Sequence, residues 1–383
     1  MKWKKVKLGD IATFSNGINF NKTAYTKGIK LIGVSNFGDR FYPDYSQLQE
    51  VKKDIVRLED CLRNGDIVFV RSNGNKELVG RCMLVKNPTE RVTYSGFCIR
   101  ARLNDTDRYD PVYFTYYFKS KAFRRAVSGT AVGANIQNLS QARLSNHECR
   151  VPSIEVQHRI ADILSAYDNL IENNQRQIKL LEEAAQRLYK EWFVDLRFPG
   201  HENTKIVDGV PEGWSRGLLK ELISVNYGKD HKKAPDDGNI PVYGSGGLMR
   251  KCNKSLFSGE AVLIPRKGSL NNIMYVDETF WTVDTMFYAT MKQPHTAVFV
   301  YFFVRAFDMY SMNIGAAVPS MTAKILDAMD VVIPDKETLE KFDKCAKMYF
   351  NKIKTLQGQN ERLKTARDLL LPKLMYETRK GDF

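Results

Sequence analysis

The chain has 383 residues, with 58 Lys and Arg against 44 Asp and Glu and a formal net charge of +14. At about 150 residues per domain the length suggests two or three domains, and 43% hydrophobic with 27% charged residues excludes a disordered or fibrous chain. No apolar run approaches the ~20 residues that span a bilayer, Met1 to Lys7 lacks a signal-peptide apolar core, and the six cysteines are scattered without a Cys-x-x-Cys. A disulfide framework and a Cys-based zinc site are therefore not expected, and a reducing cytoplasm is.

The charge is unevenly spread. Residues 1–152 carry +12, residues 153–198 carry −2, residues 199–334 are neutral, residues 335–378 carry +3 and the tail +1. A phosphate-binding footprint follows from bulk charge for the first segment only.

In chain order, Trp3 opens a run with Leu8, Ile11, Phe14 and Gly17, which returns at offset 211 as Trp214, Leu219, Leu222, Val225 and Gly228. Leu62 to Val70 reads as a Gly-turn, an acid and a buried strand, and returns as Leu256 to Ile264. A basic, Gly-containing loop follows each, Arg71 to Lys76 and Arg266 to Asn272. The aromatic runs Tyr113–Phe118 and Phe299–Val304 read as core helices, and Pro152 corresponds to Pro334. Four matches in one order, with slowly shrinking offsets, indicate a duplicated unit.

A heptad seam follows each proline. The first carries Ile160, Leu164, Tyr167, Ile171, Asn174, Ile178, Leu181 and Leu188. The second carries Ile353, Leu356, Asn360, Leu363 and Leu370, with Arg367 as a polar intruder and Pro372 expected to kink or end the helix early. Burial of each stripe against the other predicts an antiparallel pair in which Asn174 meets Asn360. The expected organisation is α+β: two similar domains at 1–152 and 214–334, helices at 153–198 and 335–378, and a linker at 199–213 rich in Pro and Gly. The two domains are expected to be separated by the long antiparallel coiled-coil pair in a pseudo-two-fold internal repeat. The plainer alternative is two amphipathic helices, each packed on its own domain.

Catalytic signatures are sparse. The sequence has no Gly-x4-Gly-Lys-Ser/Thr loop, no Gly-x-Gly-x-x-Gly after a strand, no Asn-Pro-Pro-aromatic tetrapeptide and no His-x3-His pair. Asp44, Glu50 and Lys52 form a short nuclease-like pattern, with no counterpart in the second repeat. What remains is paired polar loops. Arg71, Ser72, Asn73, Asn75 and Lys76 follow the first buried strand; Arg266, Lys267, Ser269, Asn271 and Asn272 follow the second. Asn135 and Gln137 lie in a further loop, matched loosely by Pro319 and Ser320, and Lys229 and Ser245 sit beside Gly-rich turns of the second repeat. Arg and Lys can read guanine edges, and Asn or Gln adenine edges, so these are the candidate DNA contacts; ordinary solvated turns are the competing reading.

Trp3 to Gly17, Gly65 to Arg71, Gly244 to Gly247 and Trp281-Thr282-x-Asp284-Thr285 carry a resemblance, as do Pro319 to Thr322, Ile333-Pro334 and Glu172 to Gln175. In their order along the chain, these segments resemble the specificity subunit of a Type I restriction–modification system. The resemblance implies two target-recognition domains, each reading one half of a bipartite double-stranded DNA site, and helices of fixed length that hold them apart. It implies that the helices also dock methyltransferase (M) subunits, two of them, and that restriction (R) subunits join. It implies no cofactor in this chain: S-adenosylmethionine, ATP and Mg would be bound by the partners. No membrane partner is implied. Two other readings stay open at this point. One is a fused restriction or methylation enzyme acting through Asp44, Glu50 and Lys52. The other is a coiled-coil scaffold indifferent to nucleic acid.

Overall fold

The structure, a computed structural model, describes residues 3–38, 40–127, 138–311 and 320–375. The chain runs β1 (Lys4–Lys7), α1 (Leu8–Ile11), β2 (Ala12–Asn16), β3 (Tyr25–Ile32), β4 (Gln49–Val51), β5 (Ile67–Val70), β6 (Cys82–Leu84), β7 (Val92–Tyr94) and β8 (Cys98–Leu103). Helices α2 (Pro111–Lys119), α3 (Lys121–Val127) and α4 (Gln141–Ser145) follow, then β9 (Glu148–Val151) and the long α5 (Ile154–Tyr189), which ends in a π-turn, Lys190–Val194. The second half gives β10 (Ile206–Val207), β11 (Val210–Pro211), β12 (Ser215–Leu218), β13 (Ile223–Tyr227), β14 (Ile240–Gly244), β15 (Gly247–Cys252), β16 (Phe257–Pro265), β17 (Met274–Thr282) and β18 (Met286–Met291). It closes with α6 (Ala297–Arg305), α7 (Ala323–Asp327), β19 (Asp330–Ile333) and the long α8 (Lys336–Met375).

The backbone pairing repeats along with the sequence. Strand β1 pairs antiparallel with β9, and β12 with β19. Strand β8 lies between β2 and β5, as β18 lies between β13 and β16. Parallel pairing of β3 with β7 recurs as β14 with β17. Gly17 and Gly228 occupy equivalent tight crossings: a Cβ on the first would lie 2.2 Å from the Tyr94 carbonyl oxygen, and on the second 2.0 Å from that of Val283. Only glycine lets these backbones pass so closely. The Gly-turn is shared less well. Gly65, at φ +87°, turns ahead of β5, whereas Gly259 lies inside β16, opposite Glu278, because that strand starts earlier to pair with the nine-residue β17.

The chain forms two compact units: residues 1–174 with 358–383, and residues 175–357. In the first, the aromatic helix α2 packs Tyr113, Phe114, Tyr116 and Phe118 onto β5, β6 and β8. Ile160 and Leu164 of α5 and Leu371 and Met375 of α8 enter the same core. In the second, Phe299 and Phe302 of α6 pack with Tyr189, Trp192 and Phe342 from α5, its π-turn and α8. A fully buried aromatic contributes roughly 2–3 kcal/mol, so neither core is complete without its helical residues.

Within the first unit the two helical segments run antiparallel. Leu164 and Leu371 share the core, and farther along Asn174 Nδ2 donates to Asn360 Oδ1 at 2.9 Å, with Asn174 7% and Asn360 5% exposed. Every apolar seam position named above is buried or half-buried. Arg367 is no unpaired intruder. It bonds buried Asp168, whose other oxygen accepts from Tyr116 Oη at 2.5 Å. Burial and the Asp168 anion both raise the Tyr116 phenol, keeping it a donor.

One expectation changes here. Pro372 lies inside α8, and the helix continues to Met375. Pro372 has no N–H to donate to the Asp368 carbonyl, and burial of Leu371 and Met375 on either side holds the turn in place despite that loss. Within residues 199–213, β10 and β11 form a small hairpin, and Phe198 just before them is buried on Trp214 at 4.8 Å between ring centroids.

In the second unit Asp335 accepts from the Thr338 backbone N–H (2.9 Å) and hydroxyl (2.7 Å) at the start of α8, and from Trp214 Nε1 (2.9 Å). Burial pushes its carboxyl up, but these donors outweigh it and hold the pKa below the ordinary 3.8. This stabilisation is present above the unfolded-state pKa and is lost as pH falls through the folded one. Asp335→Ala is expected to cost about 1 kcal/mol in urea unfolding at pH 7, a typical cap value, with the gap from wild type closing at pH below about 4.

For the seam, Asn174→Leu alone strands a buried amide and is expected to cost about 1–3 kcal/mol. Asn174→Leu with Asn360→Leu is expected to recover most of that loss while relaxing register, read by thermal unfolding together with cysteine cross-linking across the helices.

Candidate nucleic-acid interface

In each unit the loop after the central strand is built the same way. The N–H groups of Arg71 and Ser72 donate to the Phe97 carbonyl (2.8 and 3.3 Å); those of Arg266 and Lys267 donate to the Thr285 carbonyl (2.8 and 3.2 Å). Ser72 bridges to Asn138, and Lys267 to Ser320. Leu139 N–H donates to the Arg71 carbonyl and Met321 N–H to that of Arg266, both at 2.9 Å. Three segments distant in sequence thus meet at one place: the loop after β5 or β16, the turn before β8 or β18, and the stretch before α4 or α7.

The arginines are equivalent down to their side chains. Arg71 Nη1 donates to the Gly96 carbonyl at 3.2 Å, and Arg266 Nη1 to the Asp284 carbonyl at 3.4 Å. Arg266 also lies over the Tyr227 ring, 5.6 Å from its centroid. Each guanidinium therefore secures the neighbouring turn, and each keeps further N–H donors for a phosphate or a base edge.

The asparagines are more committed. Asn73 Oδ1 accepts from Asn75 N–H (2.7 Å), and Asn75 Oδ1 from Glu77 N–H (3.0 Å), at the helical turn that Lys76 opens. Asn271 uses both ends of its amide, accepting from Met309 N–H (2.8 Å) and donating to Asp308 (3.0 Å). Asn272 Nδ2 donates to the Ser245 carbonyl at 2.9 Å, which brings the Gly244–Gly247 turn against this loop. Gly268, at φ +85°, lies where a Cβ would be 2.7 Å from Ser245 Oγ. A side chain already fixing a loop cannot also offer a free bidentate amide to adenine. Lys229, Lys267 and Ser269 are exposed, and Ser72 is half-buried. Asn135, Gln137 and Pro319 lie outside the described residues.

Residues 199–334 are neutral overall. Arg250 on β15 donates to the His231 and Ala234 carbonyls, which ties that strand to the turn carrying the exposed Lys232 and Lys233. Sequence reasoning missed this tie because its partners are separated along the chain by strand β14.

The nuclease-like triad is not a site. Asp44 caps a helical turn at Ser46 and pairs with Arg40 at 2.8 Å. Glu50 accepts from Gly28 N–H at 2.6 Å, holding a backbone turn against β4. Among the described residues no cluster of three His, Cys, Asp or Glu side chains is placed to hold a metal ion. Burial pushes the thiol of Cys82 up to about 11 and those of Cys98 and Cys149 up to about 12, which makes them poor nucleophiles. Nor, among the described residues, is any helix long and apolar enough to cross a membrane.

Residues 1–183 and 211–365 match the family described as the Type I restriction modification DNA specificity domain. The chain belongs to that family. Among curated relatives it is 25% identical to the MjaIX specificity subunit of Methanocaldococcus jannaschii, over 78% of this chain and 74% of that one. It is 23% identical to the HindI specificity subunit of Haemophilus influenzae, over 97% and 98%. A crystal structure of the S subunit of a Type I restriction–modification system from M. genitalium shares the fold, with a TM-score of 0.58 at 19% identity over 99% of this chain and 97% of that one. As a Type I specificity subunit, the chain is a DNA-recognition protein without a catalytic centre of its own, and the reading as a fused enzyme is not supported.

Lys229→Ala and Lys267→Ala remove exposed charge without touching a loop bond. Each is expected to lower DNA affinity alike on cognate and random duplexes, and to reduce the slope of log K against log salt by about one. Binding titrations across a salt series check this.

Proposed function

We propose that each unit reads one half of a bipartite DNA site with the loop cluster described above, and that the pair of units commits M and R subunits to that site. The observation that supports this is the duplication of the loop cluster: the same backbone bonds and the same arginine contact recur in both units, on different surrounding side chains. A scaffold that ignored sequence would have no reason to keep two such clusters and vary what they present.

The exposed lysines supply charge to phosphates, which positions the protein but carries no sequence information. The loop tips, held rigid by backbone bonds, supply the contacts that discriminate bases. The long helices α5 and α8 offer exposed apolar side chains, among them Ile163, Leu170, Leu180 and Leu369, as docking points for the M subunits. Chemistry on the DNA then belongs to those partners, which would bring S-adenosylmethionine, ATP and Mg.

Replacing residues 1–152 with the matching segment of a relative, with the core partners on α5 and α8 retained, is expected to change one half of the methylated sequence and leave the other intact. Methylome sequencing of a host carrying the variant and the cognate M subunit reads the result. A change in both halves refutes the assignment of one unit to one half-site.

A further inference from the structure

Among the described residues Phe97 is the most exposed phenylalanine. Its side chain is 63% exposed, while its neighbours Ser95, Gly96 and Cys98 are buried. It is also tightly held. The Phe97 carbonyl accepts from Arg71 and Ser72, its N–H donates to Ser95 Oγ at 3.2 Å, and the Gly96 carbonyl accepts from Arg71 Nη1. Asn19 lies against the turn, its Oδ1 2.0 Å from where a Gly96 Cβ would be, so the backbone beside Phe97 is closely packed. A large apolar ring exposed to water beside a basic, polar loop costs solubility and adds nothing to the core. The equivalent turn of the second unit carries Thr285, half-buried, with its carbonyl in the same two bonds.

We propose that Phe97 is a specificity-determining residue of the first unit, which contacts the C5-methyl group of a thymine in the major groove of its half-site. The inference rests on the reading that the loop cluster faces DNA. Three arguments favour the thymine methyl. It is the one apolar feature of the major-groove edges, and phenylalanine and threonine methyl groups are among its usual partners. Arg71 and Ser72, whose N–H groups bond the Phe97 carbonyl, offer donors suited to phosphates and base edges. The backbone of the turn is hydrogen-bonded before binding, so contact orders only the ring's own two torsions. Because Thr285 presents a smaller methyl from the equivalent position, the two units would read their half-sites with unequal apolar reach.

The test uses the full complex of this chain with its M subunits and duplexes in which each thymine of the first half-site is replaced, one at a time, by deoxyuridine, which lacks only the methyl. Wild type is expected to lose about fourfold in affinity at one position, the worth of one buried methyl group. Phe97→Thr and Phe97→Ala are expected to bind several-fold more weakly, to lose sensitivity to deoxyuridine at that position, and to keep wild-type affinity for random DNA. Phe97 variants indistinguishable from wild type overturn the proposal, as does a loss of affinity that is equal on every duplex. Failure of the underlying reading looks different: the wild-type complex would then show no protection or sequence dependence at the first half-site at all. Circular dichroism and assembly with the M subunits exclude misfolding, since the Phe97 side chain is outside the core.

Discussion

The antiparallel pairing of the two long helices is the constraint on which the rest of the molecule depends. Because α5 rises where α8 descends, the end of the C-terminal helix lies in the core of the N-terminal unit. Leu371 and Met375 are buried beside Ile160 and Leu164, although about two hundred residues separate them along the chain. The second unit likewise buries Tyr189 and Trp192 with Phe342. Each α+β fold is therefore completed by helical segments from both halves of the sequence. Buried polar contacts fix the alignment of those segments. Asn174 with Asn360, and Tyr116–Asp168–Arg367, are satisfied in one register, and a slip by one heptad would leave buried amides and an anion without partners.

The second unit anchors its helix with a comparable cluster made from different residues. Lys347 of α8 binds Glu260 and Asp343, Tyr275 donates to Glu260, and His295, at φ +62°, hydrogen-bonds Asp343. Burial and the Glu260 anion both raise the Tyr275 phenol, so it remains a donor, as Tyr116 does. A tyrosine, a carboxylate and a cation thus join helix to domain in both units. Position by position, however, these are unrelated side chains, which is how a duplicated fold diverges while its backbone stays constant.

The loops show the same division of labour. Backbone N–H groups and the inner guanidinium contacts build the loop, and most asparagines are consumed in holding turns. The outward side chains are then free to vary without loss of the scaffold. The bonds that shape each loop are made by the main chain and by one arginine side chain bonded to the neighbouring turn.

Sequence alone determined the duplication, the heptad phase and the identity of the core aromatics. These are local or periodic signals: offset matches, a 4-3 spacing of apolar residues, and runs such as Tyr113–Phe118 that are too apolar to be exposed. That phase placed Asn174 and Asn360 on facing seams, and the structure has them hydrogen-bonded. Sequence could not tell an asparagine that reads a base from one that holds a turn, since both lie in polar loops; Asn271 and Asn73 are separated from Lys267 only by their partners in space. The exposed ring of Phe97, the tie from Arg250 to the His231–Ala234 turn and the continuation of α8 through Pro372 were also decided by tertiary structure. In each case the physical reason is the same: the deciding contact joins residues far apart in the chain, so no periodicity or composition in the linear sequence encodes it.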